Sequence, residues 1–174
     1  MQGRLSKSNK MSNQKLLNRI KTKFSIVAVV SGNNILKNAQ LAKKLGADII
    51  ELRIDSFGRK KIKSILDIIK NIRKKIPLPI IGTVRSPSEE GFCSLSSDER
   101  LNIFLEIIPY VDFVDVEISS KSINKKVIQA AHKKNKLVIL SYHNFKRTPS
   151  DNDLNKYTNN AFDSGADIVK IAAM

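Results

Sequence analysis

The sequence predicts an α/β fold in which six parallel β-strands alternate with five α-helices. Short runs of apolar, β-branched residues recur along the chain from residue 24 onward, and the segments between them carry apolar residues at spacings of three and four. The runs are apolar on both faces, which is typical of strands that helices cover on both sides. A regular alternation of strands and helices indicates a parallel sheet.

Each element follows from its own local pattern. The predicted strands occupy residues 24–30, 48–54, 78–84, 112–118, 137–141 and 167–172. The predicted helices occupy residues 36–45, 60–75, 97–108, 121–135 and 151–164. The second helix shows its pattern most clearly, because Ile62, Ile65 and Ile69 fall on one face.

Local signals also mark where helices begin and end. Ser97 stands at a predicted helix start, directly before two acidic residues that suit a first turn. Gly46 and Gly165 stand where helices are expected to end, since glycine adopts the left-handed conformation of a helix C-terminus.

Two architectures fit this alternation, an open doubly wound sheet and a (β/α)₈ barrel. A dinucleotide-binding doubly wound sheet carries a G-x-G-x-x-G turn after its first strand. Here the corresponding turn reads Ser31-Gly32-Asn33-Asn34 and lacks that signature. The main argument for a dinucleotide-binding sheet is therefore removed, while the pattern alone leaves both architectures open.

Residues 1–23 differ from the rest of the chain. They are polar and basic, contain no acidic residue and lack a sustained apolar period. We expect a mostly disordered extension here, with at most one helical turn near residues 16–20. A single α/β domain at residues 24–174 is expected to follow.

The formal net charge of +15 raises the question of a polyanionic partner. Beyond the N-terminal residues, the basic side chains fall mainly at 59–75 and 121–136, within predicted helices. No aromatic residues interleave with them, as binding to single-stranded nucleic acid would require. We therefore interpret the charge as solvated helix faces that attract small anionic substrates, and expect no nucleic-acid partner.

Composition also bears on location. No run of eighteen or more apolar residues occurs, so we expect no transmembrane helix and no membrane partner. The N-terminal residues lack the apolar core of a secretory signal. Cys93 is the only cysteine and cannot form an internal disulfide, which fits a reducing compartment. The sequence predicts a cytoplasmic protein.

Ionisable residues concentrate at the carboxyl ends of the predicted strands, where parallel α/β folds place their sites. In the second strand, alternation puts Glu51, Arg53 and Asp55 on one face. The ends of the next three strands carry Arg85, Glu117 and His143. A buried carboxylate or arginine costs several kcal/mol unless it is paired, so each charged group taken singly fits an internal ion pair as well as a functional site.

Lys170 is the strongest single candidate. Its neighbours in the predicted sixth strand are Ile168, Val169, Ile171 and Ala172. Desolvation among them should lower the pKa of the lysine and leave its amine free to attack a carbonyl group. Neither metal-ligand spacing nor a nucleophilic serine motif occurs in the sequence. A lysine, a histidine, arginines and glutamates then point to cofactor-free carbonyl chemistry on an anionic substrate.

Five segments together resemble the type I 3-dehydroquinate dehydratases. They are Glu51-Leu52-Arg53-Ile54-Asp55, Thr83-Val84-Arg85-Ser86, Asp115-Val116-Glu117, Ser141-Tyr142-His143-Asn144-Phe145 with Thr148-Pro149, and Asp167-Ile168-Val169-Lys170-Ile171-Ala172. Each is modest alone, but their shared order and spacing are highly specific. The resemblance implies a (β/α)₈ barrel lyase of the shikimate pathway of aromatic amino acid biosynthesis. It would convert 3-dehydroquinate to 3-dehydroshikimate and water, without metal or cofactor.

The resemblance also implies individual roles. Lys170 would form an imine with the substrate ketone, and His143 would remove the adjacent proton and return it to the departing hydroxyl. Glu89 would orient His143. The implied substrate-binding residues are Glu51, Arg53, Arg85 and Phe145.

The sequence departs from the family pattern in three places, one of which is Ala28 in the first strand, where a serine is common. The family shows Glu-Gly-Gly after its third-strand arginine, but this chain has Glu89-Glu90-Gly91, which leaves two candidates for the orienting carboxylate. The chain also stops soon after the sixth strand, whereas a complete barrel typically needs about 250 residues. We therefore expect only strands one to six of the barrel, and poor or no turnover by this 174-residue chain.

Two other functions remain open at this point. A different Schiff-base barrel enzyme, of aldolase type, would share the sixth-strand lysine but leaves the segment around His143 unexplained. A non-catalytic basic binding module would rest on the net charge alone. The sequence does not determine the oligomeric state, and a homodimer is one of the options.

Overall fold

The computed structural model describes the backbone of residues 3–58 and 60–174, and the side chains of residues 13–58 and 60–174. Its strands are β1 (Val27–Val30), β2 (Ile49–Arg53), β3 (Ile80–Thr83), β4 (Phe113–Glu117), β5 (Leu137–Asn144) and β6 (Ile168–Ala173). Its helices are α1 (Gly3–Thr22), α2 (Ile35–Lys44), α3 (Ile62–Lys75), α4 (Ser97–Ile107), α5 (Asn124–Lys133) and α6 (Asp151–Asp163). Short 3₁₀ turns lie at Ile54–Phe57, Pro87–Glu89 and Ile108–Tyr110.

The six strands form one parallel sheet in the order β1-β2-β3-β4-β5-β6. A doubly wound sheet reverses its strand order at a switch point, whereas a barrel adds each new strand beside the previous one. The sequential order is therefore that of a (β/α)₈ barrel wall, of which this chain supplies the first six strands.

The sheet is strongly curved. Neighbouring strands lie about 4.8 Å apart, so four strand spacings would separate β2 from β6 by about 19 Å in a flat sheet. The side-chain nitrogen of Lys170 in β6 nevertheless lies 3.1 Å from Oε2 of Glu51 in β2. Those two side chains can meet only across the inside of a rolled sheet, which confirms the barrel prediction over the open sheet.

The predicted strands and helices are all present, with small shifts at their ends. The first strand begins at Val27 instead of Phe24, whose side chain is fully exposed. Strand β5 extends beyond the predicted Ser141 to Asn144, because its last residues continue to pair with β6.

Helix caps agree closely with the predicted signals. The N-cap of α4 is Ser96, one residue before the predicted start, and it forms a capping box with Glu99. Gly46 and Gly165 follow α2 and α6 with φ of 93° and 99°, the left-handed region expected of glycine after a helix.

The sheet separates two apolar clusters. The larger lies between the outer face of the sheet and the surrounding helices, and its buried members include Ile50, Leu52, Ile69, Phe104 and Val127. The smaller, which we call the floor, lies inside the curve near the amino ends of the strands. Its buried residues are Ile49, Ile81, Phe113, Leu137 and Ile139.

The expectation of disorder in residues 1–23 is wrong for the part that the structure describes. Gly3–Thr22 forms helix α1, whose Leu16, Leu17 and Ile20 pack against the floor. Most helical stability in proteins comes from packing rather than from local propensity, so the polar local sequence did not reveal this helix. Although α1 has 20 residues, neither it nor any other helix within 3–58 and 60–174 is long and apolar enough to cross a membrane.

Candidate active site

The predicted site residues converge on the inner face of the sheet, beyond the floor in the direction of the strand carboxyl ends. Strand alternation explains this, because the residues two positions after floor residues point to the same side. Glu51 follows Ile49 in this way, Thr83 follows Ile81, and Asp115 follows Phe113.

Lys170 extends over this face from β6, the last strand of the sheet. Its Nζ donates to Oε2 of Glu51 at 3.1 Å and to Oδ2 of Asp115 at 3.1 Å. The other oxygen of Glu51 accepts from the hydroxyl of Thr83 at 2.9 Å. About one third of the lysine side chain remains exposed, at 35%. The amine is therefore held between two carboxylates yet remains accessible.

The predicted lowering of the pKa of Lys170 is wrong. Burial by itself lowers that pKa, but the negative charges of Asp115 and Glu51 outweigh burial and raise it above the usual lysine value. The prediction considered only the apolar neighbours of Lys170 in sequence, whereas the carboxylates come from β2 and β4. The amine is held as an ammonium ion.

Arg85 lies next to this lysine and is almost fully buried. Its guanidinium contacts Oδ1 of Asp115 at 3.2 Å, Oε1 of Glu117 at 3.1 Å and the hydroxyl of Ser141 at 2.7 Å. Burial alone would lower the pKa of Arg85, but Asp115 and Glu117 raise it above its usual value. This arginine is permanently charged and is fixed in place by its partners.

Two members of this cluster were not predicted as site residues. Asp115 lies in the fourth strand, is fully buried and contacts both Lys170 and Arg85. Arg100 of α4 is also buried and pairs with Glu117 from outside the sheet. We call Glu51, Arg85, Arg100, Asp115, Glu117 and Lys170 the charge network.

A signal for Arg100 was present in the sequence. It lies four residues before Phe104 and seven before Ile107, which are the other buried residues of α4. An arginine on the buried face of an amphipathic helix needs a partner inside the protein. The partners of Arg100 are the carboxylate of Glu117, the carbonyl oxygen of Val84 at 2.9 Å and the hydroxyl of Ser120 at 3.0 Å.

His143 and Glu89 form a second cluster beside the lysine. Nδ1 of His143 lies 2.9 Å from Oε2 of Glu89, and both side chains are about nine-tenths buried. In register, Lys170 pairs with Ser141 and His143 pairs with Ala172, so Lys170 and His143 project to the same side of neighbouring strands. The ambiguity between two glutamates is thereby resolved, since Glu89 is the partner of His143.

Glu90 has a different task. Its φ of 59° and ψ of 41° lie in the left-handed region, where the family pattern places glycine. Its carbonyl oxygen accepts from Arg53 at 3.3 Å. The following Gly91 cannot be replaced freely, because a Cβ there would lie 2.4 Å from the carbonyl oxygen of Arg85. The loop therefore lacks the first of the family's two glycines and keeps the second.

The remaining predicted residues lie at the rim. Arg53 forms two hydrogen bonds to Asp55, at 3.0 and 2.8 Å, and its guanidinium stacks over Phe92. Phe145 is half-exposed and stacks on His143 with ring centroids 6.1 Å apart. All seven predicted site residues are thus on one side of the sheet or at its rim.

A cavity of about 620 Å³ connects Lys170 and Glu51 with the floor. Glu51 and Lys170 line this cavity together with apolar side chains of the floor, among them Phe113. The arrangement places an amine within reach of an entering carbonyl group and a histidine on the adjacent strand, which suits covalent chemistry on a small polar molecule.

Comparison with known proteins identifies the family. The family model described as type I 3-dehydroquinase matches residues 24–174. This chain belongs to that family. Among curated relatives, the 3-dehydroquinate dehydratase of Methanosarcina barkeri is 33% identical over 159 residues, covering 89% of this chain and 65% of the relative. That of Thermodesulfovibrio yellowstonii is 36% identical over 150 residues, covering 86% and 64%. The chain thus spans slightly less than two thirds of these relatives.

Solved structures of the family agree. Type I 3-dehydroquinate dehydratase from Clostridium difficile, with covalent modified comenic acid, matches with a TM-score of 0.81 at 32% identity, covering 84% of this chain and 62% of that one. The enzyme from Geobacillus kaustophilus matches with a TM-score of 0.83 at 27% identity, covering 88% and 63%. A dihydrodipicolinate synthase from Bacillus clausii, at 12% identity and a TM-score of 0.56, shares the fold alone, with 94% of this chain and 50% of that one covered.

Proposed function

We propose that this chain carries the catalytic lysine and histidine of a 3-dehydroquinate dehydratase, a carbon–oxygen lyase that converts 3-dehydroquinate to 3-dehydroshikimate and water. The observation that carries the proposal is the juxtaposition of Lys170, held by Glu51 and Asp115, with the His143–Glu89 pair on the next strand. Family membership supplies the substrate.

The chemistry begins at the lysine. The ammonium of Lys170 gives up a proton, for which Glu51 and Asp115 at 3.1 Å are the nearest acceptors. The free amine then attacks the substrate ketone to form a carbinolamine. The carboxylate returns its proton to the carbinolamine hydroxyl, which leaves as water and gives a protonated imine. That imine draws electrons from the neighbouring carbon and makes its proton acidic. The covalent ligand in the Clostridium difficile relative is consistent with covalent chemistry in this family.

His143 carries out the proton transfers. The carboxylate of Glu89 accepts a hydrogen bond from Nδ1 of His143. The other ring nitrogen of His143, Nε2, is therefore free to act as the base. It removes the proton next to the imine and then protonates the departing hydroxyl, so a single group acts first as base and then as acid. Hydrolysis of the imine releases 3-dehydroshikimate and restores Lys170.

The substrate partner is the anionic 3-dehydroquinate. We propose that Glu51, Arg53 and Arg85 contact its hydroxyls and ring and that Phe145 lines the pocket. The surrounding positive charge favours the approach of such an anion. The half-buried free thiol of Cys93 suits the reducing cytoplasm as the compartment.

Borohydride trapping tests the proposal. The chain is incubated with 3-dehydroquinate and sodium borohydride, and the modified lysine is located by mass spectrometry of peptides. We expect one adduct, on Lys170, which disappears in Lys170→Ala. Lys136 is the matched control, because it is another half-buried lysine. Burial lowers the pKa of Lys136; Asp112 opposes this effect and Arg73 adds to it. An adduct on Lys136 alone, or none in the folded protein, would refute the proposal.

A second variant tests the histidine. In His143→Ala the imine should still form but the proton should stay in place. The trapped adduct should then be heavier by one water than the dehydrated adduct of the unchanged chain. Trapping with other keto acids but not with 3-dehydroquinate would favour an aldolase-type enzyme. Tight, salt-sensitive binding to random DNA would favour a basic binding module.

A further inference from the structure

Glu89 uses both of its carboxylate oxygens. Oε2 lies 2.9 Å from Nδ1 of His143, and Oε1 accepts from the hydroxyl of Ser119 at 2.5 Å. The Glu89 side chain is about 9% exposed. Its orientation is therefore determined by two partners, one of which had no predicted role.

Ser119 is held at this position by the backbone. It follows the end of β4 by two residues, and the flanking Ile118 donates its N–H to the carbonyl oxygen of Ser141 at 2.8 Å. The carbonyl oxygen of Ser119 accepts from Lys121 at 2.8 Å. The next residue, Ser120, donates its hydroxyl to Glu117 at 2.6 Å. Two successive serines thus each hold one carboxylate, Glu89 in the histidine pair and Glu117 in the charge network.

The hydrogen bond from Ser119 to Glu89 has a chemical consequence. A carboxylate can only accept hydrogen bonds, so its contact with Nδ1 requires that nitrogen to carry the proton and leaves Nε2 unprotonated in the neutral ring. A glutamate attached through one oxygen can rotate about its last side-chain torsion, which is broad. Ser119 removes that freedom by holding the other oxygen.

We propose that Ser119 is a positioning residue, which orients Glu89 and through it selects the Nδ1-protonated form of His143. This inference rests on the proposed function for its catalytic meaning but not for its structural content. Ser119 itself lies at the exposed rim and contacts neither Lys170 nor the cavity that borders it.

The chain contains an internal reference for the first experiment. It has two histidines, and Nε2 of His132, not Nδ1, lies 3.1 Å from the carboxylate of Asp167. Opposite neutral forms are therefore expected at His132 and His143. Nitrogen-15 spectra recorded at pH ~8.5, above the usual pKa of imidazole, distinguish them without any substrate.

In Ser119→Ala we expect the two ring-nitrogen signals of His143 to move towards each other, because both neutral forms become populated. Those of His132 should stay in place. Ser119→Thr keeps the hydroxyl and should restore the original spectrum. Ser122→Ala is the matched control, since this nearby serine hydroxyl bonds to Ser97 and not to the site. Unchanged His143 signals in Ser119→Ala would overturn the proposal.

Kinetics supply the second readout. Because Ser119→Ala removes a hydrogen bond to the Glu89 carboxylate, it should lower kcat about tenfold with KM changed less than about twofold. Ser119→Thr should recover most of the loss. Where turnover is too slow to follow, the rate of conversion of the trapped adduct to its dehydrated form replaces kcat.

The two proposals fail in distinguishable ways. Absence of an adduct at Lys170 in the unchanged chain contradicts the proposed function and leaves the histidine spectra to decide on Ser119. Formation of the adduct, together with equal dehydration in Ser119→Ala and the unchanged chain, contradicts the role of Ser119 alone.

Discussion

The two ends of the barrel interior are built on opposite principles. Near the amino ends of the strands, the floor is apolar and is covered by Leu16, Leu17 and Ile20 of α1. Near the carboxyl ends, the same strands carry the charge network, whose members Asp115 and Glu117 are fully buried. Along β4, a single residue separates Phe113 of the floor from Asp115 of the network.

This difference shows how one sheet serves stability and chemistry at once. Apolar side chains on the floor gain free energy by leaving water and require only shape complementarity. Buried charges lose hydration and are tolerated only when each has an opposite partner. The carboxyl end therefore depends on specific pairs, so single changes there should affect both stability and catalysis. Changes on the floor should affect stability alone.

The largest effect is expected from Arg85→Met, which removes the partner of Asp115, Glu117 and Ser141. Breaking a buried ion pair typically costs 3–5 kcal/mol, and we expect about 5 kcal/mol here because three contacts are lost. Urea denaturation followed by circular dichroism measures the change. Arg19→Met removes an exposed pair with Asp48 and should cost less than about 1 kcal/mol. An equal loss of unfolding free energy in Arg85→Met and Arg19→Met would contradict the prediction that buried pairs of the charge network stabilise the fold more than an exposed pair.

Phe113→Ala tests the floor. The side chain is fully buried, and removal of a buried phenylalanine costs about 3–5 kcal/mol, of which we expect about 4 kcal/mol. The half-exposed Phe162 of α6 is the control, and its replacement by alanine should change stability little. A fall in the yield of the Lys170 adduct in folded Phe113→Ala would show that the two ends are not independent.

Leu17→Ala tests the contact of α1 with the floor. Leu17 is only partly buried, so we expect a loss of about 1.5 kcal/mol. Lys15→Ala, on the exposed side of the same helix, should cost nothing, since alanine favours helix. A Leu17→Ala variant as stable as the unchanged protein would mean that α1 contributes no packing energy to the barrel.

The carboxyl end should also be the acid-sensitive end. Burial alone would raise the pKa of Asp115, but Arg85 and Lys170 hold it below its usual value. Burial alone would likewise raise the pKa of Glu117, but the charges of Arg100 and Arg85 outweigh burial and lower it. A lowered folded-state pKa contributes stability that is present above the unfolded value, about 4 for these groups, and is lost as pH falls below it.

Denaturation curves measured at a series of pH values check this behaviour. The loss of stability below about pH 4 should be smaller in Arg85→Met, which has already lost the interaction. Phe113→Ala should retain the acid dependence of the unchanged chain. The same acid dependence in all three proteins would contradict the assignment to the charge network.

The smallest effect is a gain. Glu90 adopts a left-handed backbone at φ 59°, which costs a non-glycine residue about 1 kcal/mol. Glu90→Gly should therefore stabilise the protein by up to about 1 kcal/mol and leave the His143–Glu89 pair intact. The neighbouring Gly91→Ala should destabilise it, because the new Cβ would collide with the backbone of Arg85. A loss of stability in Glu90→Gly would mean that its side chain contributes more than its strain costs.

The sequence by itself determined the repeating architecture and the location of the chemistry. Apolar runs and helical spacings are local properties, so the six strands, the helices between them and the convergence of Lys170 and His143 could be predicted. The family segments distinguished a barrel of the type I 3-dehydroquinase family from other parallel folds. Gly46 and Gly165 were predictable for the same reason, since a helix end depends on its own residues.

Only the tertiary structure decided what depends on contacts distant in sequence. Helix α1 packs Leu16, Leu17 and Ile20 against the floor, and its own sequence does not reveal that surface. The pKa of Lys170 is raised and not lowered because Asp115 and Glu51 approach from other strands across the curved sheet. Ser119 and Arg100 likewise gain their partners through folding. Desolvation can be estimated from neighbouring residues along the chain, but electrostatic pairing requires knowing which charges the fold brings within a few ångströms.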